Sequence, residues 1–407
     1  MEESGNLSDF KRSFDQLASY CEKEGFKGWD PYDGLNSKVF QATPLKHWDF
    51  ARLAWIQLFK RNPVNLRKQL LIPKEYNAMG IGLFLTGYSN LYQLAKSGNS
   101  AFGKPEVILN RVNELAELLL SLRSEGYSGS CWGYNFDWQA RRLFFFPKYT
   151  PTVVATCFGA SALFKAFEAT QNQKYLDSAL DSANFIIKDL NRTEHNGDFL
   201  FSYSPLKGNN TVFNASLLGS KILSQCYRFN NNEAYIDLAR RSIKACVNSQ
   251  GQDGSWVYGL LPIQNWIDSF HTGFNLDAIK VYSDISGDNA FDEAMTKGLT
   301  FYFDNFFESD GRPKYFHDRV FPIDIHCPGQ LFVVVDQFDQ YQKRKELVEK
   351  VLSWTITNMQ DKDGFFYYQM KKPLSSKIPY MRWSQAFMFY GMSHYFNSIN
   401  SCIHQNE

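Results

Sequence analysis

The chain of 407 residues lacks most of the features that announce a setting. Its seven cysteines are odd in number, scattered and without any C-x-x-C pair. They make neither a disulfide framework nor a metal pattern, and fit a reducing compartment. Charge of neither sign dominates, with 43 lysines and arginines against 42 aspartates and glutamates. Taken whole, that balance asks for neither nucleic acid nor an anionic membrane as partner. The opening MEESGNLSDFKRSF has no apolar stretch of the kind a secretory signal needs. No run approaches the roughly 18 apolar residues of a membrane span. There is no glycine-rich phosphate loop, and no Ser/Pro/Gly-rich linker. The expectation is a single domain in the cytoplasm, with no nucleic-acid partner and no cofactor.

What is present is apolar and aromatic. Hydrophobic residues make up 44% of the chain and aromatics 16%, enough for a large core and for ring-lined grooves besides. From residue 130 onward a repeat emerges. Each unit opens on an aromatic extended segment: Ser130 to Trp138, Gly197 to Tyr203, Gly254 to Tyr258, Gly311 to Tyr315 and Gly364 to Gln369. The last four starts are 57, 57 and 53 residues apart. A low-charge helix follows each, over about 151–168, 212–228, 270–284, 326–341 and 381–398. A charged, amphipathic helix then follows all but the last, over about 174–190, 232–249, 288–306 and 343–360. Adding 77–96 to the first kind, and 48–59 and 105–123 to the second, gives six of each. Only an outer helix has a face for water, so the alternation predicts an inner and an outer ring closed as an all-α (α/α)6 toroid, with short β-hairpin segments at one rim. An open solenoid of helical hairpins is the competing architecture. Residues 1–45 read as an N-terminal extension of one helix and a Gly/Pro/Asp turn.

Chemistry is expected where the inner helices begin. Aligning them on their closing aromatics brings Ala155, Asn214, His271, His326 and Arg382-Trp383 to one level. A purely structural repeat would keep one residue type there. Asp268 and Asp324 flank the histidines; each is also an ordinary helix cap. Free N–H groups at these helix starts suit carboxylates or developing oxyanions. In a hydrolase, Asp268 and Asp324 serve as acid and base, His271 and His326 position the sugar, and Arg382 holds its carboxylate. In a lyase or epimerase, His271 or Tyr380 removes the C5 proton of a uronic acid. Trp132, Tyr134, Trp138, Trp256, Tyr258, Tyr315, Tyr367 and Trp383 offer faces on which sugar C–H groups stack. Asn135, Asp137, Asn214, Asn275 and Gln330 are the accompanying polar candidates for substrate binding, and Arg141, Arg142 and Lys148 the further cations for an acidic glycan. For a metal, only His317, Asp318, Asp324, His326 and Cys327 cluster, with no ligand from another unit to complete a set; none is expected.

Three stretches carry a resemblance: W-x-D-S-F-H-T-G-F-N-L-D-A (Trp266 to Ala278), P-I-D-I-H-C-x-x-Q (Pro322 to Gln330) and Y-M-R-W-S-Q-A (Tyr380 to Ala386). Together they resemble helical-toroid proteins of bacterial polysaccharide (capsule and O-antigen) loci, related in fold to six-hairpin glycosidases and terpenoid-cyclase toroids. The resemblance covers about 70–398 and implies fold and glycan context more than a reaction. The chain has no D-x-D-D cluster of squalene-type cyclases and no Arg-Gly-Asn-Gly-Trp pattern of unsaturated rhamnogalacturonyl hydrolases. The expected function is a carbohydrate-active enzyme, hydrolase or lyase/epimerase, on an acidic bacterial oligo- or polysaccharide or its lipid-linked precursor. A non-catalytic glycan-binding or scaffold subunit is the alternative.

Overall fold

A computed structural model of the chain describes residues 2–139 and 145–405. Arg141 and Arg142 lie outside the described residues. The chain begins with α1 (Glu2–Lys23), the single turn α2 (Lys38–Gln41) and α3 (Asp49–Arg61). There follow α4 (Ala78–Lys96), α5 (Pro105–Ser121), α6 (Val153–Thr170), α7 (Gln173–Lys188), α8 (Phe213–Asn230) and α9 (Glu233–Val247). The last are α10 (Ser269–Ser286), α11 (Asp292–Asn305), α12 (His326–Gln337), α13 (Tyr341–Met359) and α14 (Phe387–Gln405), with a π-helical turn, Met381–Ala386, leading into α14. Three two-stranded antiparallel ladders lie between them. They pair β1 (Trp138–Gln139) with β2 (Phe145–Phe146), β3 (Arg192–His195) with β4 (Asp198–Phe201), and β5 (Ile323–Asp324) with β6 (Gln369–Met370).

Helices α4, α6, α8, α10, α12 and α14 each pack on the next, and α14 returns to α4. This is the closed inner ring of the toroid. Its members are buried on nearly every side: α4 runs buried without interruption from Ala78 to Leu91. Outer helices bury one stripe, as α7 does with Tyr175, Leu176, Ala179, Ala183 and Ile186 at helical spacing. Among the described helices, α6 alone is long and apolar enough to cross a bilayer by length and composition. Its place in the inner ring accounts for that character, since a helix packed on every side has no face to keep polar.

The sixth outer helix is α1, where the periodicity predicted α3. Phe14 of α1 packs on Phe389 and Phe396 of α14, with ring centroids 4.9 and 5.4 Å apart. A recurring glycine makes the same point. Gly254, Gly311 and Gly364 have φ of +90°, +89° and +93°. A Cβ on them would meet a backbone oxygen of the outer helix alongside: Lys297 of α11, Lys350 of α13 and Gln16 of α1. Only glycine takes that left-handed backbone at such close approach, so α1 stands where α11 and α13 stand in their own units.

Helix α3 belongs to a cap formed by residues 28–72. Leu35, Phe40 and Ile56 make a small core there, with Tyr32, Trp55, Trp138 and Phe145 around it. Arg67, fully buried, donates to Asp33 Oδ1 and to the Asp30 carbonyl, both at 2.8 Å. Its guanidinium lies over the rings of Phe59 and Tyr380, which joins the cap to the start of the last inner helix.

Candidate active site

The inner helices begin at one end of the toroid, and their caps share one device. The side chains of Asn77, Thr152 and Asp268 each accept from the backbone N–H three residues on, at Gly80, Ala155 and His271. Such a cap contributes about 1 kcal/mol. Asp268 does more. Its Oδ2 accepts from Nδ1 of His271 at 2.7 Å and from the indole N–H of Trp266 at 3.0 Å. A carboxylate only accepts, so Nδ1 of His271 carries the proton and Nε2 is the other, open ring nitrogen. Trp266 in turn stacks on Tyr258, with centroids 4.5 Å apart, and Tyr258 lies against His271 at 4.6 Å.

Asp324 is wholly buried at the end of β5. It accepts from the backbone N–H of His326 (3.1 Å), Nε1 of Trp383 (2.9 Å) and Nε2 of Gln369 (2.8 Å). Burial pushes its carboxyl up to about 6, the three hydrogen bonds opposing. His326 opens α12 between Trp383 and Phe387, with ring centroids 4.2 and 3.6 Å away. Both its ring nitrogens are buried and neither has a partner among the described residues. Burial, then the charges of Arg382 and His271, hold it well below the ordinary histidine range. It is a neutral imidazole with an unengaged lone pair.

One turn further along the same faces, Asn275 follows His271 and Gln330 follows His326 by four residues. Both amides are buried, and Asn275 Oδ1, Gln330 Nε2 and Asn214 Oδ1 on α8 have no partner among the described residues. Five successive units each carry a tyrosine in the aromatic segment that precedes the inner helix: Tyr134, Tyr203, Tyr258, Tyr315 and Tyr368. The hydroxyls of Tyr134 and Tyr203 meet at 3.0 Å, Tyr258 lies against His271, Tyr315 packs on Phe270, and Tyr368 is buried against Tyr380 and Trp383. Tyr203 and Tyr368 escaped the sequence analysis, although Tyr258, Tyr315 and Tyr368 each lie four residues after a repeat glycine.

Several expected site residues lie elsewhere. Trp132 and Trp256 are core: both are buried, their indoles donating to the carbonyls of Leu119 and Cys246. Trp138 packs against the cap core and stacks on Phe146. Asp137 accepts from the backbone N–H of Lys148 and so shapes its own loop. Asn135 accepts from Asn77 Nδ2 at 2.8 Å and donates to Glu75 at 3.3 Å. With Asp30, Asn77 and Arg382 it lines a small cavity beneath the cap. Tyr380 is fully buried with its hydroxyl unpartnered, and burial pushes its phenol well up, which removes it as a proton acceptor. Arg382 does not stand free for a substrate carboxylate. Asp30 takes it in a fork, Nε to Oδ2 at 2.6 Å and Nη2 to Oδ1 at 2.9 Å. Burial works against its charge and Asp30 more than restores it. Tyr32, also from the cap, contacts Trp383 at 5.6 Å and so covers the side of the site that holds His326. Asp30 and Tyr32 left no sequence signal beyond a turn-like GWDPYDG. Among the described residues no three His, Cys, Asp or Glu side chains gather as metal ligands.

No protein-family model matches the chain, and neither does any curated protein. Solved structures do. The cellobiose 2-epimerase of Bacillus thermoamylovorans superposes with a TM-score of 0.62 at 15% identity, over 81% of this chain and 90% of that one. An unsaturated glucuronyl hydrolase specific for heparin gives 0.59 at 10%, over 96% and 98%. The GH76 α-mannanase of Bacteroides thetaiotaomicron gives 0.56 at 13%, over 92% and 100%. At these identities the likeness is one of fold. The chain has the six-hairpin (α/α)6 fold.

Proposed function

We propose that the protein is a carbohydrate-active enzyme of the epimerase or isomerase kind, which moves a proton at a sugar carbon next to a carbonyl. The observation that carries this is the pair of histidines on adjacent inner helices. His271 has its Nδ1–H held by Asp268, and His326 is buried, neutral and unpartnered. His271 accepts the proton at Nε2 as the C–H bond breaks, becoming an imidazolium, and gives that proton back to the resulting enediolate, while the neutral His326 offers its lone pair to a sugar hydroxyl. Asp268 stabilises the imidazolium form of His271 when that residue is the acceptor.

Hydrolysis fits less well. It needs one carboxyl group at the glycosidic oxygen and another at a water, whereas Asp268 and Asp324 each already accept from three donors. The amides of Asn214, Asn275 and Gln330 suit sugar hydroxyls, and the tyrosine rings suit sugar faces. With Arg382 engaged by Asp30, the arrangement supports a neutral sugar over the acidic glycan that the sequence led us to expect. The motif resemblance supports a place in bacterial polysaccharide biosynthesis. Seven cysteines, none in a disulfide, support a cytoplasmic setting.

The test is incubation with a panel of reducing sugars and disaccharides in D2O, read by mass and by NMR. Deuterium gained at the carbon beside the carbonyl, with that carbon inverted or the carbonyl moved, is the expected result, lost in His271→Ala and in His326→Ala. Gain of water indicates hydrolysis, and a new unsaturated-uronate absorbance indicates elimination. Sugar binding that survives loss of both histidines, without turnover, indicates a binding subunit. Each of these overturns the reading.

A further inference from the structure

The cap shows an apolar face to solvent. On α3, Ile56 and Phe59 point into the cap core. The opposite side carries Phe50, Ala54 and Leu58, at i, i+4 and i+8, and Arg61 prolongs the same stripe. Phe50 is 80% exposed, Leu58 48%, and Trp48, immediately before the helix, 66%. Of the fourteen large hydrophobic side chains exposed among the described residues, seven fall between Val39 and Leu71. Such clustering is not the single scattered exposure ordinary for a soluble surface. The Lys38 N–H donates to the Leu71 carbonyl, which sets Val39 beside Leu71 in the same unit.

Charge distinguishes the occupant. Between Lys38 and Lys74 there are eight lysines and arginines and one acidic residue, Asp49, in a chain whose net charge is only +1. Arg67 is buried against Asp33, and Lys74 pairs with Glu24. Lys38, Arg61 and Lys68 remain exposed, and none of them pairs with a carboxylate among the described residues. Two copies meeting through this face would oppose like charges. A surface with exposed Trp and Phe among basic residues matches the boundary of an anionic bilayer. We propose that the outer face of the cap, with Trp48, Phe50 and Leu58 inserted and Lys38, Arg61 and Lys68 at the headgroups, docks the protein on an anionic lipid surface. The near-neutral charge of the whole chain conceals this local excess.

The test uses the full chain with vesicles of phosphatidylcholine alone or mixed with phosphatidylglycerol, read by co-sedimentation at low and high salt. Wild type is expected on the mixed vesicles, released by salt. Lys38→Gln/Arg61→Gln/Lys68→Gln should bind about a hundredfold more weakly, at about a factor of five per basic residue. Trp48→Ser/Phe50→Ser/Leu58→Ser should stay in the supernatant with unchanged circular dichroism. These six residues touch neither histidine, so sugar turnover in solution should hold in both variants. Three results overturn the proposal: no sedimentation of wild type with mixed vesicles, equal sedimentation with both kinds, or a wild-type dimer by light scattering that the serine variant abolishes.

Discussion

Asp268→Asn separates the proton-handling role of Asp268 from its role as a cap. Asparagine caps a helix about as well as aspartate, so the bond from the His271 N–H to Oδ1, 3.0 Å long, has an acceptor in the variant. The change falls on Oδ2, where both Nδ1 of His271 and Nε1 of Trp266 now donate. An amide nitrogen there cannot accept. His271 can answer by shifting its proton to Nε2 and accepting at Nδ1. Trp266, half-buried, loses its acceptor, at a cost of about 1–2 kcal/mol. Stability should fall by no more than that. Turnover should fall about 10²- to 10⁴-fold, the usual worth of a positioned acid–base group, because Nε2 is then protonated at rest and the imidazolium has lost its counter-charge. Long-range ¹H–¹⁵N spectra report the tautomer without any substrate, and deuterium exchange into sugar reports turnover. Asp268→Ala, which also removes the cap, should lose about 1 kcal/mol more. A variant that keeps the Nδ1–H tautomer and wild-type exchange would refute the reasoning, as would a loss of stability large enough to explain the lost activity by itself.

Two further outcomes test the surroundings of the site. Asp30→Ala strands the buried Arg382 guanidinium and should cost about 3–5 kcal/mol in urea unfolding; a loss below about 1 kcal/mol would mean that the fork of Asp30 and Arg382 does not hold the cap to the toroid. Asp324, raised from 3.8 to about 6 in the folded chain, binds its proton more tightly folded than unfolded. Its contribution to stability is therefore greatest below about pH 4 and is lost as pH rises through about 6, about 3 kcal/mol in all. Asp324→Asn, which mimics the protonated form, should flatten that limb of the curve, and a difference from wild type that does not change with pH would contradict the assignment.

The toroid was legible because its two rings differ in composition: α4 and α6 have no face to keep polar, whereas α5 and α7 must keep one. The same reasoning erred at the sixth outer position. Helix α3 has a clear apolar stripe, but amphipathicity says only that a helix packs, not against what. Its stripe meets Leu35 and Phe40 of the cap, and α1 takes the place beside α14. The better signal was Gly364, spaced like Gly254 and Gly311, whose left-handed backbone needs an outer helix to lean on. Within the extended segments, tryptophan and tyrosine carried equal weight as sugar-binding candidates. They differ in depth. Each segment runs from the outer ring toward the axis, and two residues advance it about 7 Å. That step takes the chain from Trp256, bonded to the Cys246 carbonyl of α9, to Tyr258 against His271.

The error over Arg382 has a different origin. Its partner Asp30 lies 352 residues away in sequence, beyond any local pattern, so an arginine at a helix start read as a clamp for an anionic ligand. Once the pair is seen, the charges around the site nearly cancel. Arg382 is neutralised by Asp30, His326 is held neutral by burial, and Asp324 is pushed toward its protonated form. Asp268 has its carboxylate oxygens engaged by His271 and Trp266. Under the proposed function, a site so balanced would offer an anionic sugar no Coulombic reward for leaving water, whereas a neutral one would gain hydroxyl contacts with Asn275 and Gln330. The unneutralised positive charge stands instead on the outer surface of the cap, at the exposed Lys38, Arg61 and Lys68. On the two proposals together, that charge would recognise something outside the site, and an anionic surface met by the cap would bring the protein to a sugar that need not itself be anionic.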